Sequence, residues 1–253
     1  MGTKTGRDSR TRVLVTGAGG YIGSMILPAL ASRYELRLMD IDEIPERHGI
    51  TDVVVADLTS PDRSGFAAAF IGIDVVVHLG YVRSSPGGVY DDAVPHLERF
   101  ETELANVRMA YNVFRCSLES GVRRVVVASS NHAADWYEHA LIHRGAMDMV
   151  EPGDVPLSDN FYGWSKASYE LLAFPFACGT FGRQLEVVMV RIGAPREVDA
   201  SDHIDRPSSP QPGLPGGTAG LKRHLGAYLS VTDARGIFAA AIEASDVRNE
   251  HGV

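Results

Sequence analysis

Short apolar runs alternate with longer segments of mixed polarity between residues 12 and 192. The runs are four to six residues long and rich in valine, isoleucine and leucine, which is typical of strands buried on both faces. Several intervening segments are long enough for helices, so the pattern predicts an α/β fold in which helices cover both faces of a parallel sheet. The predicted strands are residues 12–16, 36–40, 53–56, 74–79, 124–128 and 187–192.

One predicted helix lies between the fourth and fifth strands and is followed by Gly121, a predicted C-terminal cap. Its apolar residues recur at helical spacing and predict a face that covers the sheet. The pattern ends later in the chain, because residues 195–222 are rich in proline, glycine and serine, and we interpret them as a lid, an insertion or a disordered loop. The apolar positions of the predicted helix are Leu97, Leu104, Val107, Tyr111, Phe114 and Leu118.

Three glycines follow the first predicted strand in a G-x-x-G-x-x-G arrangement: Gly17, Gly20 and Gly23. The first allows a tight turn, the second lets the backbone approach a pyrophosphate, and the third lets helix and strand pack closely. The free N–H groups and the dipole of the following helix then favour phosphate. Because a lone glycine pattern is also compatible with an ordinary strand-to-helix turn, the interpretation as a dinucleotide site depends on further residues.

Acidic residues follow the second and third predicted strands. Asp40 ends the second strand, where a carboxylate accepts hydrogen bonds from the adenosine ribose and repels a 2′-phosphate, which favours NAD over NADP. Asp57 follows the third strand, where it can reach the adenine edge while Leu58 packs on the ring. A plain helix N-cap is an alternative role for Asp57, and the two roles can coexist.

Tyr162 and Lys166 lie four residues apart on a predicted helix, so their side chains leave from the same face. A phenol ionises near pH 10, and a buried cation about 4 Å away supplies stabilisation on the scale that a phenolate at neutral pH requires. Lysine occurs only at Lys4, Lys166 and Lys222, while arginine fills the other cationic positions. Tyr162 is therefore a candidate general base, with a helix-surface pair as the alternative.

The fifth predicted strand ends in the sequence ASSNH, which places Ser130 close to His132 where a buried strand reaches the surface. A hydrolase with a serine nucleophile and a histidine base is one interpretation of this pair. The glycines that flank a nucleophile elbow are missing, so the sequence does not favour it. A capping role at the strand exit is an alternative for His132.

The composition of the 253 residues excludes several classes of protein. A net charge of −8 disfavours nonspecific binding to nucleic acids or anionic membranes. Cys116 and Cys178 are far apart and show no metal-ligand spacing, so we expect neither a disulfide framework nor a metal site. The polar start lacks a signal peptide and no apolar run is long enough to span a membrane, so we expect a cytoplasmic protein with disordered residues 1–11.

Taken in order, the segments TGAGGYIG, ADL, VHLG, ASSNH, YGWSK and VRIG resemble the extended short-chain dehydrogenase/reductases, also called the NAD-dependent epimerase/dehydratase family. Within that family they look most like uronate dehydrogenases and haloarchaeal NAD-dependent glucose-6-phosphate dehydrogenases. The resemblance implies a doubly wound Rossmann domain over residues 12–193, a small C-terminal substrate lobe over residues 194–253, and oxidation of a sugar C1 hydroxyl to a lactone by NAD. It also implies a homodimer formed through the helices that carry Asn106 and Lys166.

The resemblance assigns roles to individual residues. Ser130 orients the substrate hydroxyl, Tyr162 is the base, and Lys166 holds the nicotinamide ribose and lowers the tyrosine pKa. The implied substrate contacts are Arg83, Ser84, Ser130, Asn131, His132 and Arg223, with Arg223 clamping an anionic group. The implied NAD contacts are Gly17, Gly20, Tyr21, Ile22, Gly23, Asp40, Asp57, Leu58, Leu79, Gly80, Asn106, Tyr162, Lys166 and Ile192.

Some positions depart from the uronate dehydrogenase pattern. Arg83 and Ala194 stand where those enzymes carry substrate-binding serines, and residues 139–160 and 195–222 reshape the rim of the pocket. The family also continues into a further strand and helix, so we expect the sequence to be incomplete at its C-terminus. A nucleotide-sugar epimerase or dehydratase is the alternative enzyme, and a non-catalytic NAD sensor is a third interpretation.

Overall fold

The computed structural model describes residues 10–46, 48–86, 93–195 and 226–249. Six parallel strands form one sheet in the order β3-β2-β1-β4-β5-β6, which is the order of a doubly wound Rossmann fold. All six predicted runs are strands, with bounds that differ from the prediction by at most two residues. The strands are β1 Arg12–Thr16, β2 Glu35–Asp40, β3 Val53–Val55, β4 Val75–His78, β5 Arg124–Ser130 and β6 Glu186–Ile192.

Helices cover both faces of the sheet, as the predicted fold class requires. The helices are α1 Tyr21–Arg33, α2 Phe100–Glu119, α3 Asp135–Ala140, α4 Phe161–Ala177 and α5 Val231–Glu243. Successive residues of β1 point to opposite faces, so Val13 and Val15 belong to the core under α1 and α5, while Leu14 belongs to the core under α2 and α4. No helix within the described ranges is long and apolar enough to cross a membrane.

The buried face of α2 differs from the prediction. Phe114 is fully buried as expected, but Leu97 precedes the helix and is 82% exposed. Residues of α2 that the apolar pattern left on the solvent side are fully buried, among them Glu103 and Asn106. The predicted face was therefore wrong in part, because these polar side chains find hydrogen-bond partners inside the protein, as described below.

The end of α2 agrees with the prediction. Gly121 has a φ of +80°, and its N–H donates to the carbonyl of Leu118 at 3.3 Å. The next N–H, from Val122, donates to the carbonyl of Ser117 at 3.0 Å. This pair of bonds is a Schellman motif, in which glycine takes the left-handed position at little cost.

The described part of residues 194–253 packs against the main sheet. Short strands β7 Ala194–Pro195 and β8 Tyr228–Leu229 pair in parallel, and α5 follows them. Phe238 of α5 lies in the same core as β1 and α1. The buried guanidinium of Arg124 donates to three carbonyls at the C-terminal end of α5, at 2.7 to 3.0 Å. A separate substrate lobe stays a prediction, since residues 196–225 are outside the described ranges.

Candidate active site

A cavity of about 500 Å³ opens at the carboxyl ends of β1, β4, β5 and β6. Loops that follow β1 and β4 diverge to opposite faces of the sheet, and this switch point is where doubly wound folds bind their ligands. The volume lies within the range of small-molecule sites. Sequence-predicted residues that line the cavity are Gly17, Gly20, Tyr21, Ile22, Leu79, Arg83, Ser84, Ser130, His132, Tyr162, Lys166 and Ile192.

The glycine loop has the geometry expected of a phosphate cradle. Gly17 has a φ of +68°, and a Cβ at this position would lie 2.5 Å from the backbone nitrogen of Gly80. Gly23 is equally constrained, because a Cβ there would collide with the backbone of Ala18. Gly20 is the N-cap of α1, no described side chain caps this helix, and its first turn holds no acidic residue. The N–H groups of that turn are therefore available to an anion.

Asp40 lies beside this loop at the end of β2. One carboxylate oxygen accepts the N–H of Gly19 at 2.8 Å, and the other accepts the N–H of Ile41 at 2.8 Å. Each oxygen keeps a further lone pair, so the carboxylate is fixed in place and can still accept from hydroxyl groups.

Asp57 makes hydrogen bonds within its own loop, which follows β3. Its carboxylate accepts from the backbone N–H of Thr59 at 2.8 Å and from the Thr59 hydroxyl at 2.7 Å, which caps a turn rather than a helix. Leu58 is 6% exposed and packs in the core under α2. The adenine contacts implied for these two residues stay predictions.

Asn106 is fully buried and contacts the backbone of the loop after β4. Its amide oxygen accepts the N–H of Val82 at 2.8 Å, and its NH₂ group donates to the Val82 carbonyl at 2.8 Å. Asn106 thus holds the loop after β4, which runs from Leu79 through Gly80 to Arg83. Its implied contact with NAD stays a prediction.

Ser130, Tyr162 and Lys166 meet at the base of the cavity. Ser130 ends β5, and the other two project from the first turns of α4, whose N-cap Asn160 accepts the N–H of Gly163 at 2.8 Å. Lys166 is 4% exposed, and its Nζ donates to the carbonyl of Ala128 on β5 at 3.0 Å. The Nζ lies 6.0 Å from the centroid of the Tyr162 ring.

Burial dominates the electrostatics of these groups. It raises the pKa of Tyr162, which a hydrogen bond with Ser130 partly offsets and the negative charge of Glu103 reinforces. Burial also lowers the pKa of Lys166 to about 8, against the opposing effect of Glu103. The pKa of Tyr162 is therefore raised in this structure, because removal of the phenol from water is the largest effect, and the lowering by Lys166 that the resemblance implies stays a prediction.

The interpretation of Ser130 and His132 as a hydrolase pair is not supported by the contacts. His132 Nδ1 lies 2.6 Å from the buried carboxylate of Asp135, an arrangement that orients the ring. The Ser130 hydroxyl contacts the side chain of Asn131 at 3.4 Å and accepts the backbone N–H of His132 at 3.2 Å. The His132 ring instead stands edge-on to the Tyr162 ring, 5.2 Å between centroids.

The other predicted substrate contacts lie at different depths. Arg83 is exposed at the cavity wall, and Ser84 is partly buried there. Asn131 begins a short 3₁₀ turn after β5. Arg223, the predicted anion clamp, falls outside the described residues.

Sequence reasoning missed several residues around the cavity. Tyr81 lines it, with its ring edge-on to Tyr162 at 5.2 Å and its hydroxyl donating to Glu103 at 2.6 Å. His78 is buried behind the cavity, and burial lowers its pKa to about 3. Gly193 is required because a Cβ would collide with the backbone of Ala227. Glu103 was missed as well, because the apolar pattern of α2 leaves it on the solvent side.

The sheet order, the glycine cradle and the serine, tyrosine and lysine at one cavity define the class. This chain is an α/β protein with a dinucleotide site beside candidate proton-transfer groups. Residues 13–183 match the model of the NAD dependent epimerase/dehydratase family. The chain belongs to this family, as the sequence motifs predicted.

Several named relatives are sugar dehydrogenases. The chain is 32% identical to L-arabinose 1-dehydrogenase (NAD(P)(+)) of Haloferax volcanii. The alignment covers 72% of this chain and 66% of that protein. It is also 32% identical to an NAD-dependent glucose-6-phosphate dehydrogenase of the same organism, and that alignment covers 72% of this chain and 67% of the relative. A uronate dehydrogenase variant from Agrobacterium tumefaciens, complexed with NAD, superposes with a TM-score of 0.68 at 26% identity, covering 94% and 74%. The chain spans 66% and 67% of the two Haloferax proteins and 59% of a uronate dehydrogenase of Pseudomonas syringae.

Proposed function

We propose that this protein is an NAD-dependent oxidoreductase that oxidises a sugar hydroxyl, at C1, to give a lactone. The observation that carries the proposal is that one cavity is lined by the glycine loop and by Ser130, Tyr162 and Lys166. Several relatives are named dehydrogenases, which supports net oxidation rather than epimerisation or dehydration. Uronates and other aldoses are the candidate substrates.

The residues present fit NAD. Gly17 leaves a cradle that a Cβ would fill, α1 presents an uncapped N-terminus, and Asp40 places a fixed carboxylate at the end of β2. These groups would hold the pyrophosphate and the adenosine ribose, and Lys166 would hold the nicotinamide ribose. When bound, NAD⁺ would supply the acceptor for the hydride that the sugar carbon loses.

The chain's own residues handle the proton. Ser130 orients the sugar hydroxyl, and the Tyr162 phenolate removes its proton as the carbon–oxygen double bond forms. Because burial raises the Tyr162 pKa, the fraction of phenolate is small at neutral pH and grows as the pH rises. The buried ammonium of Lys166 favours the phenolate, so its charge is part of the machinery.

Arg83 supports a substrate that carries an anionic group. Its guanidinium is exposed on the cavity wall, and no ion pair is found for it within the described ranges. A guanidinium binds carboxylate or phosphate through two parallel hydrogen bonds. His132, held by Asp135, and Asn131 would contact the sugar hydroxyls beside Ser130.

We also propose that the protein is a cytoplasmic homodimer formed through α2 and α4. Asn106 and Lys166 themselves are buried inside the protomer. Apolar side chains on the outer face of α4 support this interface, because Leu171 is 60% exposed and Phe174 is 49% exposed.

A panel of uronates, aldoses and sugar phosphates, each mixed with NAD⁺ and the full chain, tests the proposed reaction. NADH formation that Tyr162→Phe abolishes is the expected result. Unchanged NAD⁺ with an inverted or dehydrated sugar nucleotide would replace the proposal with an epimerase or dehydratase. For Arg83→Gln we expect a higher KM for anionic sugars and an unchanged KM for neutral ones, and equal effects on both would exclude its role.

A further inference from the structure

Glu103 is a fully buried carboxylate that belongs to α2, outside the catalytic motifs. One of its oxygens accepts the hydroxyls of Tyr81 and Ser84, each at 2.6 Å. The other accepts the hydroxyl of Ser165 at 2.7 Å and the NH₂ group of Asn106 at 3.3 Å. Three partners are hydroxyls and the fourth is an amide NH₂ group, so each can donate to the carboxylate, and the Ser165 hydroxyl also lies 2.8 Å from the carbonyl of Tyr162.

These four bonds connect the two sides of the cavity. Tyr81 and Ser84 belong to the wall that follows β4, whereas Ser165 lies on α4 between Tyr162 and Lys166. The Tyr81 ring stands edge-on to the Tyr162 ring and lies 5.0 Å from Lys166 Nζ. A single side chain thus fixes the wall and the helix that carries the proton-transfer groups.

We propose that Glu103 is a positioning residue of this active site, which holds the wall at Tyr81 and Ser84 against α4 and places a fixed negative charge beside Lys166. The inference rests on the proposed function, because it assigns Glu103 a part in keeping Lys166 protonated for that reaction. An apolar residue at this position would remove the acceptor of the Tyr81 and Ser84 hydroxyls, while the Ser165 hydroxyl would keep the carbonyl of Tyr162 at 2.8 Å.

Glu103 acts on Lys166 through its negative charge, whereas the neighbouring histidine and phenols are uncharged near neutral pH. His78 on β4 is neutral, since burial lowers its pKa to about 3. Burial raises the pKa of Tyr81 and of Tyr169, so both phenols are uncharged near neutral pH, and the raised pKa of Tyr162 has the same consequence. Glu103 is the charged group that raises the pKa of Lys166 against burial. Glu170, one turn further along α4, accepts the hydroxyl of Ser129 on β5 and is paired with Arg191 of β6 at 2.7 Å.

The titration of Lys166 tests this inference without any turnover. The chain has three lysines, so protein labelled with ¹³C at the lysine ε carbon gives three signals, and Lys166→Arg identifies one of them. In the full-length wild-type chain we expect a midpoint at about 8. In Glu103→Gln we expect it to fall by about 1 unit, the scale of a nearby charge.

Two further variants separate charge from packing. Tyr81→Phe removes one donor and keeps the carboxylate, so the Lys166 midpoint should stay within about 0.3 units of wild type, well below the shift that a neighbouring charge produces. Asn112→Ser is the matched control, because Asn112 is another buried polar residue of α2, whose NH₂ group donates to the carbonyls of Leu58 and Ser60. It should leave the midpoint unchanged.

A midpoint in Glu103→Gln equal to that of wild type would overturn the proposal, as would an equal fall in Asn112→Ser. If Glu103→Gln fails to fold, Ser165→Ala with Tyr81→Phe removes a bond of Glu103 to each side of the cavity. That double variant should weaken sugar binding at constant NAD⁺ affinity, and unchanged sugar binding would refute the positioning role. A wrong proposed reaction would leave the lysine titration intact, so the two failures are distinguishable.

Discussion

Substitution of Gly17 by alanine separates backbone strain from steric collision in the glycine loop. Gly17 and Gly49 have nearly the same φ, +68° and +73°. A Cβ at Gly49 meets nothing within 4 Å, whereas one at Gly17 would lie 2.5 Å from Gly80 nitrogen. The two alanine variants therefore share the strain and differ in the collision.

The expected magnitudes follow from these contacts. A left-handed alanine costs about 1 kcal/mol, which is the whole effect at Gly49. Ordinary contact begins near 3.4 Å, so Gly17→Ala must push the loops after β1 and β4 apart by about 0.9 Å (3.4 − 2.5). Overpacking of this kind adds about 1–3 kcal/mol, for a total of about 2–4 kcal/mol. The loss of one phosphate hydrogen bond would weaken NAD⁺ binding about 10- to 100-fold.

Urea unfolding measures the free energy of unfolding of both variants, and calorimetric titration with NAD⁺ measures their affinity. Gly17→Ala should be the less stable variant and should bind NAD⁺ more weakly, while Gly49→Ala should bind it like wild type. Equal stability and equal affinity in the two variants would refute the assignment of Gly17 to the cradle.

Three further predictions concern stability and assembly. Arg124→Met should lower the free energy of unfolding by about 3–5 kcal/mol, because the carbonyls at the end of α5 and the Glu186 carboxylate lose their buried partner. Arg123→Met is the control, since it removes an exposed ion pair and should cost less than about 1 kcal/mol. Because the folded-state pKa of Lys166, about 8, lies below the unfolded value of 10.5, the unfolded chain binds more protons above pH 8. Stability should therefore rise by about 1–2 kcal/mol between pH 8 and 9.5 relative to Lys166→Met, and a flat difference would contradict the burial of a charged lysine. Leu171→Glu with Phe174→Glu should convert a dimer to a monomer in sedimentation velocity, and the exposed Ile71→Glu should not.

The strands and the glycine loop were predictable because their signals are local. A buried strand needs a continuous apolar run, and Gly17 and Gly23 occupy positions where a side chain would strike the backbone. Ser130 follows the predicted fifth strand, and Tyr162 and Lys166 lie on a predicted helix. The topology of the fold therefore brings all three to one edge of the sheet. Local pattern and tertiary structure agree at these positions.

The role of Glu103 was not predictable from the same pattern. Hydrophobic periodicity assigns a polar residue to solvent, yet Glu103 is buried by partners 22 and 62 residues away, Tyr81 and Ser165. Arg124 is a similar case, since the helix end that it caps lies 117 residues further along the chain. Such residues are recognised only when the fold supplies their partners.

The raised pKa of Tyr162 is a second property that the sequence did not predict. The spacing of Tyr162 and Lys166 gives their proximity, but not how much water reaches the phenol. Burial of both groups works against their charged forms, and the balance depends on Glu103 and on Ser130.

Transfer of hydrogen from the sugar to NAD tests the central claim most directly. A substrate identified in the sugar panel and deuterated at C1 is incubated with NAD⁺ and the full chain, and the nicotinamide product is analysed by mass spectrometry. We expect deuterated NADH together with a lactone, and loss of both in Tyr162→Phe. Deuterium that stays in the sugar while NAD⁺ is unchanged, or transfer that survives in Tyr162→Phe, would contradict it.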